Sequence, residues 1–185
     1  MGKDRLSRRE FIALGAKTAG AFLITNSIFP TISFAGESGK VPVAVRVNPD
    51  FETALSGALE ALGGMRSFIS KNDIVLIKPN IGWDRVPDQA ANTDPQLVIS
   101  LVRRVLDAGA REVRIFDRTC NEPRRCYINS GIEPIVEEFS EKEGVKDSVK
   151  IYHVKRRDFV NVKIQNARVL KKWPLYRDAM EVDKI

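Results

Sequence analysis

Two short polar runs hold most of the residues whose types and spacing could do chemistry. One is Lys78-Pro79-Asn80-Ile81-Gly82-Trp83-Asp84; the other is Asp117-Arg118-Thr119-Cys120-Asn121-Glu122. A lysine here offers a point charge for a phosphate or carboxylate, an asparagine offers a donor and an acceptor, and proline and glycine shape the backbone between them. Asp117 stands like a carboxylate that holds a metal, a ribose or a partner lysine, with capping of the next turn as the alternative. Thr93 and Asp94 precede Pro95 at the start of a helical pattern, where they cap the helix or turn its positive end toward an anion. Lys78, Asn80, Thr93, Asp94 and Asp117 are therefore the expected ligand-binding residues. Lys78 would hold an anionic group, Asn80 would orient it, and Asp117 would bind a metal or accept a proton. No catalytic role can be assigned to any of them from sequence, so whether the chain is an enzyme stays open.

The two cysteines, Cys120 and Cys126, lie in a stretch rich in arginine (Arg118, Arg124, Arg125). In an oxidising compartment a short disulfide between them is the first expectation, unpaired thiols the second, and metal or cluster ligation the third. Neighbouring arginines would lower a thiol pKa, which keeps a redox role in view. His153 is the sole histidine and sits in a strand-like run, where a structural role is expected. A nucleophile-elbow motif, a Walker loop, a Rossmann glycine fingerprint and paired CxxC motifs are all absent, so neither a metal site nor an iron–sulfur cluster is read from the cysteines.

These residues need elements to position them, and the hydrophobic periods supply a plan. Val41 to Val47 alternates like a strand. Asp50 caps a helical run through Phe51, Ala54, Leu55, Ala58, Leu59 and Leu62, which Gly63-Gly64 ends. Ile74 to Ile77 is uniformly apolar, as strands buried in parallel sheets are. Leu97, Val98, Leu101, Val102, Val105 and Leu106 give the next helix its buried stripe. Val113 to Phe116 reads as a strand, Glu133 to Glu143 as a helix, and Val149 to Val154 as a strand. Strands alternating with helices predict an α/β fold, a mainly parallel, Rossmann-like sheet with helices on both faces. Beyond Phe159, Val160 to Ile164 and Ala167 to Leu170 read as a hairpin and Tyr176 to Met180 as a short helix. Val182 to Ile185 reads as the start of another element. Ligands of open parallel sheets bind beyond the carboxyl ends of the strands, where both polar runs fall.

The first 35 residues read differently. Ser7-Arg8-Arg9-Glu10-Phe11-Ile12 matches the twin-arginine (Tat) consensus, with Arg8 and Arg9 as its pair. A moderately apolar run from Ala13 to Phe29 follows, and Ser33-Phe34-Ala35 presents small residues for cleavage after Ala35. The expected partners are the Tat translocase and signal peptidase, and the expected location is periplasmic or otherwise extracytoplasmic. Lys17 argues against a permanent span, and no later segment is long or apolar enough for one. Residues 36–40 would be a linker and 41–185 the domain. The chain's formal charge of +6 falls to about +3 without the signal segment, since that segment holds five basic and two acidic residues. The excess reads as spread along the chain, with dense spots only at Lys155-Arg156-Arg157 and Lys171-Lys172, so nucleic-acid binding is not expected.

Several of these stretches together resemble domain-of-unknown-function family 362. They are Val75-Leu76-Ile77-Lys78-Pro79-Asn80-Ile81-Gly82, Asn92-Thr93-Asp94-Pro95, Ala108-Gly109-Ala110, the strand ending in Asp117, Ala58 to Gly64, and Ser130-Gly131-Ile132. The resemblance covers about 41–185 and implies an α/β fold with little settled chemistry. Some relatives carry ferredoxin-like iron–sulfur modules; this chain has no ferredoxin cysteines, so the cofactor stays unknown. The family pattern continues with a further strand and a Pro-x-x-Lys-x-His segment, so the domain is expected to be incomplete at Ile185. The leading functional expectation is an exported protein with a small-molecule or cofactor site at the strand ends. The alternatives are a redox enzyme or iron–sulfur-associated assembly factor, and a non-catalytic envelope binding protein.

Overall fold

A computed structural model describes residues 32–33 and 42–185. The Arg8-Arg9 motif, the cleavage position after Ala35 and the link at 36–40 lie outside these described residues. The described chain opens with a minimal antiparallel ladder of β1 (Ile32–Ser33) and β2 (Ala44–Val45). The valine run expected as a strand over 41–47 pairs only at Ala44–Val45, and Val43, Val45 and Val47 are all more than half exposed. Alternation creates an apolar face, but burial needs a packed partner.

Helix α1 (Phe51–Ala61) begins where Asp50 accepts the Thr53 N–H at 2.8 Å and packs on α2 (Pro95–Asp107), with Glu52 ion-paired to Arg104. None of its residues is fully buried. In α2, Asp94 accepts the Gln96 N–H and Pro95 takes the first helical position, where its missing N–H costs no hydrogen bond. Val98, Ile99, Val102 and Val105 are its buried stripe, with Ile99 taking the place expected of Leu97.

Strands β3 (Ile74–Ile77), β4 (Glu112–Ile115) and β5 (Val149–Ile151) form a parallel sheet in that order. The register stacks Val75, Val113 and Val149 on one face, and Ile77, Ile115 and Ile151 beside them. Helices α2, α3 (Pro123–Asn129) and α4 (Ile132–Lys142) cover this face, giving a core centred on Val102, Val113 and Ile115, all with no exposure. Fully burying each such side chain contributes roughly 1.5–3 kcal/mol. Gly131, at φ +75°, makes the turn from α3 to α4, and a Cβ there would lie 3.2 Å from the Pro95 ring.

The α/β class and the parallel sheet are as the sequence predicts; the second face differs. It carries Leu76 and Phe116 and, among the described residues, is covered by a hairpin of β6 (Phe159–Lys163) and β7 (Lys172–Tyr176) rather than by a helix. Tyr176 stacks edge-on against Phe116 at 5.1 Å, with Phe159 and Tyr152 close by. The second hairpin strand falls later than 167–170, which form the exposed connection, and only a 3-10 turn at Arg177–Ala179 stands where a helix was expected. Lys184 bridges Val75 in parallel, its carbonyl accepting the Leu76 N–H at 2.9 Å, so β3 has neighbours on both sides.

Candidate functional site

The strand-end loops are laced to each other before they can bind anything else. After β3, the Ile81 N–H donates to Asp117 Oδ2 at 2.9 Å, and Lys78 Nζ lies 2.6 Å from Asp117 Oδ1. Asp117 is buried while the Lys78 side chain is more than half exposed. The carboxylate is thus held by one backbone donor and one ammonium, and the ammonium keeps donors free toward solvent. The Gly82 carbonyl accepts the Cys120 N–H at 2.8 Å, and Asn121 Oδ1 accepts the Asp84 N–H at 3.2 Å. A Cβ at Gly82 would stand 2.9 Å from Asn80 Oδ1, so a larger residue would displace the Asn80 amide from the Gly82 N–H.

Of the five expected ligand residues, Lys78 and Asp117 form the ion pair, whereas Asn80, Thr93 and Asp94 are engaged internally. The Asn80 amide accepts from the Gly82 N–H at 3.0 Å and donates to the Ala91 carbonyl at 3.1 Å. Its backbone N–H donates to Thr93 Oγ1 at 2.8 Å, while Thr93 N–H donates back to the Asn80 carbonyl. Asp94 caps α2. Asn92, not singled out from sequence, clamps the same loop by accepting from Trp83 N–H and donating to the Trp83 and Arg85 carbonyls. Asn and Thr near a turn signal local hydrogen bonding as readily as recognition, and here their side chains set the loop's shape.

Cys120 and Cys126 stand as free thiols in this structure, the second of the arrangements expected for them. The residues between them fold as α3 instead of a loop: Glu122 accepts the Arg124 and Arg125 N–H groups and Pro123 takes the first helical position, a capping signal legible in Glu122-Pro123. This turns Cys126 into the core, where its thiol reaches the Gly82 carbonyl at 3.6 Å, while Cys120 stays exposed. Burial pushes the Cys126 thiol pKa up; the expected lowering by nearby arginines does not reach it. Arg125 pairs instead with Asp84 at 2.6 Å, and Asn129 Nδ2 donates to the same carboxylate.

Tyr127 was missed by the sequence reading, and it anchors Asp117. Its hydroxyl accepts the Asp117 N–H at 2.8 Å and lies 3.0 Å from the Asp117 carbonyl and 3.1 Å from the Tyr152 carbonyl. Burial raises the phenol pKa well above its usual value, so it remains a neutral donor and acceptor. The spacing Cys126-Tyr127-Ser130 on one helical face was the available signal. His153 lies edge-on to Tyr127 with ring centroids 4.4 Å apart, its Nε2 3.6 Å from Glu133 Oε1, and so backs the Tyr127 ring.

Beyond the ends of β4 and β5 opens a polar crevice of about 590 Å³, lined by Asp117, Arg118, Thr119, Asn121, Arg156 and Phe159 among others. The Arg118 guanidinium sits 5.4 Å from the Phe159 ring centroid. A larger cavity of about 740 Å³ lies between α1 and α2 beside β3; its lining is mostly apolar (Leu59, Leu62, Met65, Leu101), with Lys78 and Thr93 also touching it. The Lys78–Asp117 pair joins the two, since Lys78 lines one and Asp117 the other. The polar crevice is the stronger candidate, because it alone gathers convergent charged and hydrogen-bonding side chains at the strand ends. Among the described residues, no group of three or more His, Cys, Asp or Glu side chains gathers as metal ligands would.

Residues 75–185 match the family described as Domain of unknown function (DUF362). The chain belongs to that family. The match starts at β3, later than the position 41 that the resemblance reached, and takes in both strand-end loops, α3 and the hairpin. The thylakoid-associated protein sll1697 of Synechocystis sp. is 30% identical to this DUF362 chain over 84 residues, which are 45% of this chain and 26% of that protein. The chain thus spans about a quarter of that relative's length. No solved structure matches the chain.

Proposed function

We propose that this DUF362 chain is an exported protein that binds a small phosphate- or carboxylate-bearing molecule in the crevice beyond β4 and β5. The observation that carries the reading is the convergence of Arg118, Arg156, Thr119 and Asn121 on one cavity floored by the buried Asp117. Two guanidinium groups suit a planar or tetrahedral oxyanion, because each presents paired N–H donors in a fixed fork. The Asn121 amide N–H groups add neutral donors, while the Thr119 hydroxyl donates to the Asn121 carbonyl and fixes that turn. The ammonium of Lys78 balances the Asp117 carboxylate at the crevice floor from the side of the adjoining cavity. Binding without turnover and binding with proton transfer at Lys78–Asp117 are both served by this geometry. A redox role has less support, since Cys126 is buried with a raised pKa.

Binding is tested by thermal unfolding with inorganic phosphate and with citrate. A ligand at about 100 times its dissociation constant stabilises by roughly 2.7 kcal/mol, and Arg118→Met or Arg156→Met should remove that gain while leaving the unliganded midpoint nearly unchanged. Equal stabilisation of wild type and both variants rejects the site. Export rests on Ser7 to Ile12 and the apolar run after it, with the Tat translocase and signal peptidase as partners. Protein recovered from the periplasm should begin at Gly36 by intact mass. A cytoplasmic chain that still carries residues 1–35 would refute export.

A further inference from the structure

The β6–β7 hairpin concentrates charge that the sequence reading took to be spread. From Lys155 to Arg177 the chain carries eight basic side chains and one acidic; all other positions together carry 22 basic and 23 acidic. The positive balance of the protein therefore resides in this segment, and the hairpin within it carries Lys163, Arg168, Lys171 and Lys172 with no acidic residue between Phe159 and Tyr176. Among the described residues, Lys163, Arg168, Lys171 and Lys172 have no acidic partner within ion-pair distance, and Lys163 stands directly across the ladder from Lys172. Like charges at opposed positions destabilise a hairpin, so this pair is kept at a cost to the fold.

The same hairpin holds apolar surface away from the core. Phe159 and Tyr176 face inward onto Phe116. By the register and the two-residue alternation of strands, Val160, Val162, Trp173 and Leu175 share the opposite face. Trp173 is 49% exposed, and at the tip Val169 and Leu170 are 84% and 51% exposed. Single exposed apolar residues need no explanation, but an exposed apolar tip with Trp173 beside it and unpaired basic residues on either side does.

We propose that the hairpin is a docking surface for an anionic lipid bilayer. Its basic residues meet the negative headgroups, Val169 and Leu170 enter the headgroup–acyl boundary, and Trp173 sits at the interface, where an amphipathic ring is favoured. Charge complementarity selects this occupant: a neutral protein partner would not draw on four unpaired cations around the apolar tip. No helix among the described residues is long and apolar enough to cross a membrane.

The test uses the full chain carrying Trp83→Phe, so that Trp173 is the only tryptophan; the Trp83 side chain makes none of the loop's hydrogen bonds. The apolar run from Ala13 to Phe29 has no tryptophan, so its own attachment to lipid gives no such signal. Vesicles of phosphatidylcholine alone are compared with vesicles in which roughly one third is phosphatidylglycerol, with brominated lipid as the quencher. On the anionic vesicles Trp173 emission should move to the blue and be quenched, and ~0.5 M salt should reverse both. Lys171→Gln with Lys172→Gln should lower the partition constant roughly 30-fold, at about 1 kcal/mol per basic side chain near such a surface. Val169→Ser with Leu170→Ser should abolish quenching while the protein stays folded by circular dichroism. Three results overturn the proposal: flotation with no change at Trp173, an equal response on neutral vesicles, or retention of a single-stranded oligonucleotide without vesicle binding.

Discussion

Replacing Tyr127 by Phe removes one oxygen atom and leaves the ring, its packing and the helix intact. The structure says what that oxygen does: it accepts the Asp117 N–H at 2.8 Å and sits within 3.1 Å of the Asp117 and Tyr152 carbonyls. Tyr127 has no exposure and Asp117 is buried, so water cannot take over the role. A buried donor left unpaired costs about 1–3 kcal/mol. With a urea slope of about 2 kcal/mol/M for a domain of this size, the midpoint should fall by about 1 M with the slope unchanged. The melting temperature should fall by roughly 4–10 °C, given the usual conversion for domains of 100 to 250 residues. Phosphate binding at the crevice should weaken further than stability requires, because the Asp117 backbone loses its fixed point. Urea unfolding followed by far-ultraviolet circular dichroism decides the matter. A midpoint shift under about 0.2 M would mean that the hydroxyl anchors nothing, and the account of how Asp117 is positioned would fail.

Two further outcomes follow from the same coordinates. Native protein titrated with a thiol reagent should react quickly at Cys120 and slowly at Cys126 until denaturant is added; rapid reaction of both, or of neither, contradicts the placement of Cys126 in the core. Burial raises the Glu112 pKa, but hydrogen bonds and charge from Lys150 and Arg114 outweigh it and leave the carboxylate below its ordinary value. A depressed pKa stabilises the fold above the unfolded carboxylate value of about 4.3, and that contribution is lost as pH falls through the folded value. Glu112→Gln should therefore destabilise at neutral pH by about 1 kcal/mol or more, and the difference from wild type should shrink in acid; a difference independent of pH between neutrality and pH ~3 would contradict it.

The parallel core was legible because burial on a sheet face imposes a strict demand on residue type. Ile74 to Ile77 is apolar throughout, and its neighbours Val113 to Ile115 and Val149 to Ile151 keep valine and isoleucine on the helix-covered face, with Arg114 and Lys150 on the other, at spacings that leave room for a crossover helix. The Asp94-Pro95 and Asp50 helix starts were legible for a local reason: a cap acts on N–H groups two or three residues away. Val41 to Val47 carried an equally local signal, but among the described residues a partner strand meets it only at Ala44–Val45, and the hairpin's second strand was displaced because pairing register depends on residues from both strands. Helix α3 is short, and its arginines hid a cap that rests on Glu122 alone.

The site divides along the same line between local and long-range physics. Lys78 and Asp117 are 39 positions apart, yet each ends a strand and the two strands are adjacent, so their pairing follows from topology once the sheet is known. Tyr127 meets Asp117 only because α3 folds back over the sheet, a contact that no periodicity encodes. Asn80 and Thr93 have the residue types of ligand contacts, but a loop crossing the open end of a parallel sheet has backbone donors of its own to satisfy, and the side chains nearest to it are taken first. What remains for a ligand is the set that the loops do not need. Arg118 and Arg156 both line the crevice, and neither takes part in the hydrogen bonds that lace the loops together. Side chains that build a loop cannot also read a ligand, so an Arg118 substitution should separate binding from folding, while one at Asn80 disturbs both.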